Sequence, residues 1–187
     1  KISAGDKAIL ENIRPVYFAD TGIRRGGWDQ FFDFPPSHPD GIRRFQQEFQ
    51  PKSLKARSVG DRVEIEFDGM RLGIFSGSVV YTIYPGSRLI EQEAVLSTTE
   101  PDVAYFYDAG IDYQPPADRR PGNTMETSVS YYEPAAPGIR TVRSPHLSER
   151  TPIAVRYRTL AARTPNGSIA VFPAPHQYFF ARDFTSN

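Results

Sequence analysis

The sequence contains no cysteine, so neither disulfide bonds nor thiolate metal sites contribute to this protein. It does not need them, because a chain of 187 residues can bury about 70% of its unfolded surface. The 22 basic residues equal the 22 acidic ones, and this neutrality argues against a surface for nucleic acid or anionic membranes. No apolar run approaches the length of a membrane span. We therefore predict a globular protein with no nucleic-acid partner and no membrane span.

Sequence motifs of catalysis and cofactor binding are also missing. There is no G-x-S-x-G elbow, and the glycines of residues 25–28 lack the spacing and setting of a phosphate-binding loop. His38, His146 and His176 each neighbour a proline in a predicted loop, and their spacing matches no metal signature. We expect no metal site and no cofactor.

Helix-breaking residues are abundant, which favours strands. Seventeen prolines are spread along the chain and leave little room for long helices, while 13% of the residues are aromatic and suit a pleated surface. Eight or more short strands predict an all-β fold, an antiparallel β-sandwich with long loops and little helix. A barrel is the alternative. We predict a single domain over residues 1–187, with an irregular segment at about 1–50.

The clearest pattern predicts an antiparallel meander of four strands between residues 61 and 108. Val63, Ile65 and Phe67 alternate with charged residues, as in a strand with one buried face. Asp68-Gly69 and the proline and glycine of residues 85–87 predict the turns. The four predicted strands are 62–67, 75–84, 89–97 and 103–107.

Other parts of the chain are less regular. Ile42, Phe45 and Phe49 have helical spacing, but Phe45, Gln47 and Phe49 also alternate as in a strand, so both interpretations stay open. The long loops at 20–40 and 112–125 are candidate locations for a site. Further strands are predicted at 16–19, 127–132, 153–159, 168–172 and 178–182.

Paired carboxylates provide one hypothesis for catalysis. Glu91 and Glu93 point to the same face of a predicted strand, about 6–7 Å apart, and Asp102, Asp108 and Asp112 surround the next strand. Glycosidases place two carboxyl groups roughly 5–10 Å apart. Glu91, Glu93 and Asp108 are therefore the candidate acid and base, although alternating acids are also typical of the solvent face of a half-exposed sheet.

Exposed aromatic residues provide a second hypothesis. Tyrosine and tryptophan rings stack on the C–H faces of sugars, and neighbouring polar groups bond to the hydroxyls. We interpret Phe106 as facing the core, with Tyr105 and Tyr107 facing the opposite way, where they contact glycan or cover a neighbouring domain. The predicted carbohydrate contacts are Trp28, Asp29, Tyr105, Tyr107 and Asp108.

Residues 77–94 (GSVVYTIYPGSRLIEQEA) and 100–110 (EPDVAYFYDAG) resemble β-sandwich regions of large exported bacterial proteins. They are similar in style to the galactose-mutarotase-like supersandwich found beside catalytic domains of carbohydrate-active enzymes. This resemblance implies an accessory or scaffold role in a carbohydrate-processing protein, with a catalytic domain following in the same chain. It also implies a secreted or periplasmic location. The first residue, Lys1 rather than Met, is typical of a cleaved exported protein and equally of a proteolytic fragment.

Three functions follow as hypotheses. The first is a non-catalytic module that binds a polysaccharide or oligosaccharide, or supports a neighbouring catalytic domain. The alternatives are a glycoside hydrolase-like or lyase-like enzyme that uses the paired carboxylates, and a structural protein–protein interaction domain.

Overall fold

A computed structural model describes residues 13–23, 43–113, 128–143, 151–153, 155–164, 167–175, 177 and 183–185. These residues are all-β and include no helix, as the composition predicts. None of the described residues therefore forms a helix that is long and apolar enough to cross a membrane. The strands are β1 Ile13–Ile23, β2 Arg43–Gln46, β3 Glu48–Phe49, β4 Leu54–Val59, β5 Arg62–Leu72, β6 Phe75–Ile83, β7 Ile90–Ser97, β8 Val103–Tyr113, β9 Ser128–Tyr132, β10 Ile139–Arg143, β11 Thr151–Ile153, β12 Arg156–Thr164, β13 Gly167–Val171 and β14 Asp183–Thr185.

The chain divides into two compact units. One is Pro15–Ile111, and the other joins Lys1–Arg14 to Asp112–Asn187. The predicted organisation as one domain stays a prediction. Strands β1 to β3 lie within the segment that we predicted to be irregular, and residues 43–46 and 48–49 are strands rather than helical turns.

A five-stranded antiparallel sheet contains most of the predicted meander. Its order is β3-β5-β6-β7, and β4 also pairs with β5. The register places Val63 opposite Ile83, and Val79 opposite Ala94. Val63, Phe67, Val79, Ile83 and Ala94 therefore lie on one face of the sheet, as their alternation predicts.

The predicted turn at Asp68-Gly69 is wrong. β5 continues through these residues to Leu72, with a bulge in its pairing to β6 between Asp68 and Met70. Gly69 has a φ of 91°, and a Cβ atom there would overlap the backbone carbonyl of Gln50. An Asp-Gly pair serves a bulge as well as a hairpin turn, because both require a positive φ. The turn itself lies at residues 73–74.

The predicted fourth strand of the meander is present but belongs to a different sheet. β8 does not pair with β7; it pairs with β1 in a three-stranded sheet of order β2-β1-β8. In the connection before β8, the Glu100 carboxylate accepts a hydrogen bond from Arg43 of β2 at 2.7 Å, and Asp102 has a φ of 54°. The chain thus crosses from one sheet to the other between β7 and β8.

The two sheets of the Pro15–Ile111 unit share one apolar core. Tyr17 and Ala19 of β1 are buried together with Met70, Leu72 and Val79 of the five-stranded sheet. Burial of each large side chain contributes about 1.5–3 kcal/mol, so the contact between the sheets stabilises the unit. The architecture is that of an antiparallel β-sandwich, and no sheet of the described residues closes into a barrel.

The second unit has its own sheet, of order β10-β9-β12-β13. In this unit Tyr131 and Val155 form a small buried cluster, and Val129, Val142 and Leu160 pack against them. Strands β9 and β13 confirm the predictions at 127–132 and 168–172, whereas the strand predicted at 178–182 lies outside the described residues. The short strands β11 and β14 pair with each other.

Candidate functional site

β8 contains three of the residues predicted to contact carbohydrate: Tyr105, Tyr107 and Asp108. It is the last strand in the order of its sheet, so one of its edges is not paired with any strand of the described residues. Tyr105 is 51% exposed and Tyr107 is 48% exposed. The other two predicted contacts, Trp28 and Asp29, lie outside the described residues.

The side of β8 that carries the tyrosines is not the one we predicted. The ring of Tyr105 packs edge-on against Phe75, with the ring centroids 5.4 Å apart, and Phe75 packs against the core. Side chains alternate along a strand, so Tyr107 shares the side of Tyr105 and Phe106 faces the other way. The two tyrosines thus point toward the opposite sheet. They remain half exposed at the edge of the sandwich.

Polar side chains lie between the sheets close to these tyrosines. Gln92 of β7 donates from Nε2 to the Tyr17 hydroxyl at 3.1 Å, with a longer contact of 3.5 Å to the carbonyl of Gly110 on β8. Burial raises the pKa of Tyr17 to about 12. The hydrogen bond from Gln92 lowers this pKa, whereas the electrostatic effects of Tyr81, Glu93 and Tyr107 raise it further. The tyrosine side of β8 therefore combines exposed rings with neutral hydroxyl and amide groups. We call Tyr17, Gln92, Tyr105 and Tyr107 the tyrosine edge.

Asp108 belongs to the other side of the three-stranded sheet. Its carboxylate lies 3.3 Å from the guanidinium of Arg44, which also binds Asp20 at 3.0 Å and lies over the Phe18 ring at 5.5 Å. Burial raises the pKa of Asp20, Arg44 opposes this rise, and Asp108 adds to it. Tyr107 and Asp108 are neighbours in sequence, but strand alternation separates them, so they do not form one contact surface.

The two glutamates proposed as acid and base lie on an open face of the five-stranded sheet. Glu91 and Glu93 are exposed on the face of β7 that points away from the core, and Glu91 accepts a hydrogen bond from the Tyr84 hydroxyl at 2.8 Å. Asp112 forms an ion pair with Arg14 at 2.6 Å. Exposed carboxylates on an open face resemble the solvent side of a sheet more than a pair that encloses a glycosidic bond.

Metal binding has no candidate group among the residues that the structure describes. Within them, no three histidine or acidic side chains come together in a way that could hold an ion. The three histidines lie outside the described residues.

Sequence reasoning missed Tyr17, Gln92, Asp20 and Arg44. Tyr17 and Gln92 are separated by 75 positions, and Arg44 and Asp108 by 64. Neither pair forms a local motif, so only the pairing of the sheets reveals them.

Comparison with known proteins gives no match. No family model, no curated protein and no solved structure is similar to this chain at a significant level.

Proposed function

We propose that this protein is a non-catalytic module that binds a neutral polysaccharide or oligosaccharide at the tyrosine edge. The observation that carries the proposal is the pair of half-exposed rings, Tyr105 and Tyr107, on the same side of an edge strand. Their positions are about 6–7 Å apart along the strand, which is comparable to the length of a sugar ring. Each ring offers an apolar face to the C–H groups of a sugar.

The groups behind these rings support a neutral ligand. The amide of Gln92, held in place by its hydrogen bond to the buried Tyr17 hydroxyl, is an uncharged group suited to bonding with a sugar hydroxyl. Tyr17 is uncharged at neutral pH, as an ordinary tyrosine is, and burial raises its pKa further, to about 12.

No observation among the described residues favours the enzymatic alternative. Glu91 and Glu93 are exposed on the outer face, and Asp108 is engaged by Arg44. The accessory role beside a catalytic domain and the secreted or periplasmic location belong to the same proposal. They are supported by the resemblance of residues 77–94 and 100–110 to galactose-mutarotase-like sandwiches.

The test is binding of the full chain to a panel of neutral polysaccharides and oligosaccharides, measured by affinity electrophoresis and calorimetry. We expect Tyr107→Ala to weaken binding about 10-fold, the loss typical of an exposed aromatic contact. Tyr107→Phe keeps the ring and should retain most of the affinity. The matched control is Tyr84→Ala, which removes a tyrosine from the outer side of the five-stranded sheet.

Two results would contradict the proposal. One is a panel with no ligand for the folded wild-type chain. The other is a ligand whose affinity stays unchanged in Tyr107→Ala while circular dichroism shows an intact fold.

A further inference from the structure

Strand β12 of the second unit contains an unusual backbone feature. Tyr157 has a φ of 64° and Arg158 a φ of 57°, so two consecutive residues with side chains adopt the left-handed conformation. The pairing with β9 places Arg156 opposite Tyr132 and then Leu160 opposite Tyr131, so three residues of β12 bulge out of the ladder. Left-handed residues other than glycine are strained, and such residues concentrate at functional sites.

Specific hydrogen bonds hold this bulge. Thr159 donates from its hydroxyl to the carbonyl of Tyr157 at 3.0 Å. The guanidinium of Arg158 donates to three backbone carbonyls, those of Ala174, Pro175 and Gln177. Arg158 is thus occupied in fixing the backbone, and a bulge fixed in this way can aim its neighbouring side chains.

The bulge places an arginine beside two tyrosine rings that contact each other. The guanidinium carbon of Arg156 lies 5.3 Å from the ring centroid of Tyr157 and 6.0 Å from that of Tyr132. The two rings meet edge to face at 5.0 Å, and Tyr157 is 66% exposed. Across β9, Ile139 is 79% exposed beside Tyr132, so this side of the sheet is open.

Arg156 differs from the arginines of the structure that form ion pairs with a carboxylate. Arg14, Arg43 and Arg44 each lie within hydrogen-bond distance of a carboxylate. Nearby, Arg140 pairs with Glu133 at 2.8 Å. Arg156 has no acidic partner among the described residues, where its guanidinium lies against the rings of Tyr157 and Tyr132.

We propose that Arg156 and Tyr157, with Tyr132 behind them, form a second site that binds the carboxylate of an acidic oligosaccharide. A guanidinium held in one orientation can bond to both oxygens of a carboxylate. The exposed face of Tyr157 offers a platform for the sugar ring that bears the carboxylate. A uronic acid unit provides the carboxylate and the ring in one residue. This site lies in a different unit from the tyrosine edge and does not depend on the function proposed there.

The test is calorimetric titration of the full chain with an oligomer of galacturonic acid, beside the neutral galactose oligomer of equal length. We expect Arg156→Ala to weaken binding of the acidic oligomer at least about 10-fold, and added salt to weaken the wild-type interaction. Arg163→Ala is the matched control, because it removes an exposed arginine from the same strand. Tyr157→Ala should also weaken binding.

Several outcomes would overturn this proposal. They are absence of binding by the acidic oligomer, equal losses in Arg156→Ala and Arg163→Ala, and equally tight binding of a glutamate-rich peptide. Failure here is distinguishable from failure at the tyrosine edge, since the neutral and acidic oligomers and the two variants Tyr107→Ala and Arg156→Ala report on the sites separately. Circular dichroism of Arg156→Ala establishes that the variant is folded.

Discussion

Gln92 and Tyr17 connect the two sheets of the Pro15–Ile111 unit through a hydrogen bond of 3.1 Å from the amide to the phenol. Tyr17 is only 3% exposed, and its neighbours in the core are apolar. A buried hydroxyl that loses its partner costs more than the bond itself contributes, because the group has also lost its water. This pair therefore fixes how the sheets face each other and holds the Tyr17 hydroxyl behind Tyr107.

The first prediction concerns this pair. Gln92→Leu leaves the Tyr17 hydroxyl without its donor and should lower the free energy of unfolding by about 1–3 kcal/mol. Removing both polar groups in Tyr17→Phe/Gln92→Leu should cost clearly less than the sum of the two single substitutions. Urea unfolding measures all three variants, with Gln46→Leu on the exposed side of β2 as the matched control. Additive losses would show that the two groups are not coupled.

The second prediction is a loss of stability at alkaline pH. Burial raises the pKa of Tyr17 from 10.0 to about 12, so between these values the unfolded state ionises while the folded state does not. The contribution of Tyr17 is fully present below pH 10.0 and is lost as the pH rises toward 12. The free energy of unfolding, measured from about pH 9 upward, should fall more steeply for the wild type than for Tyr17→Phe. Parallel curves would contradict the assignment.

The third prediction contrasts two glycines of the sandwich. A Cβ atom on Gly77 would overlap the backbone carbonyl oxygen of Val95 across the β6–β7 pair, whereas one on Gly110 would meet nothing. Gly77→Ala should therefore lower the free energy of unfolding by about 1–3 kcal/mol. Gly110→Ala should change it by less than about 0.5 kcal/mol or raise it slightly. Chemical denaturation compares them, and equal effects would refute the close approach of β6 and β7.

The fourth prediction concerns Asp20. Burial raises the pKa of this carboxyl, and the positive charge of Arg44 limits the rise. Arg44→Met should therefore raise the pKa further, which NMR titration of the carboxyl carbon can follow, with Arg71→Met as a control on β5. A carboxyl with a raised pKa stabilises the fold at low pH, and this contribution disappears as the pH rises through the folded-state value. Between acidic and neutral pH, the free energy of unfolding should therefore fall more in Arg44→Met than in the wild type. A titration of the Asp20 carboxyl that is unchanged in Arg44→Met would contradict the ion pair.

The sequence predicted the strands that have one apolar face, because alternation directly records burial. Val63, Val79 and Ala94 lie where their pattern indicates. The predicted sheet of β8 was wrong, because the pattern of a strand does not specify whether the strand joins the preceding sheet or crosses to another. The predicted turn at Gly69 was also wrong, because the same dipeptide serves a turn and a bulge.

The candidate sites were less predictable than the fold. Tyr105 and Tyr107 were predicted to face away from the core, whereas they lie on the side that faces the opposite sheet and are half exposed there. Asp108 was grouped with them although alternation places it on the other side. Tyr17 and Gln92 were missed because only tertiary packing brings them together. Tyr157 continues a regular alternation from Ile153 in the sequence, and nothing in that pattern indicates the left-handed backbone found there.

The central claim is that a neutral glycan binds at the tyrosine edge. The most direct measurement follows backbone amide chemical shifts of the full chain by NMR during titration with a neutral oligosaccharide that the panel identifies. We predict that the largest changes fall on β8 around Tyr105 and Tyr107 and on Gln92 of β7. Changes confined to other strands, or none at saturating ligand, would contradict the account.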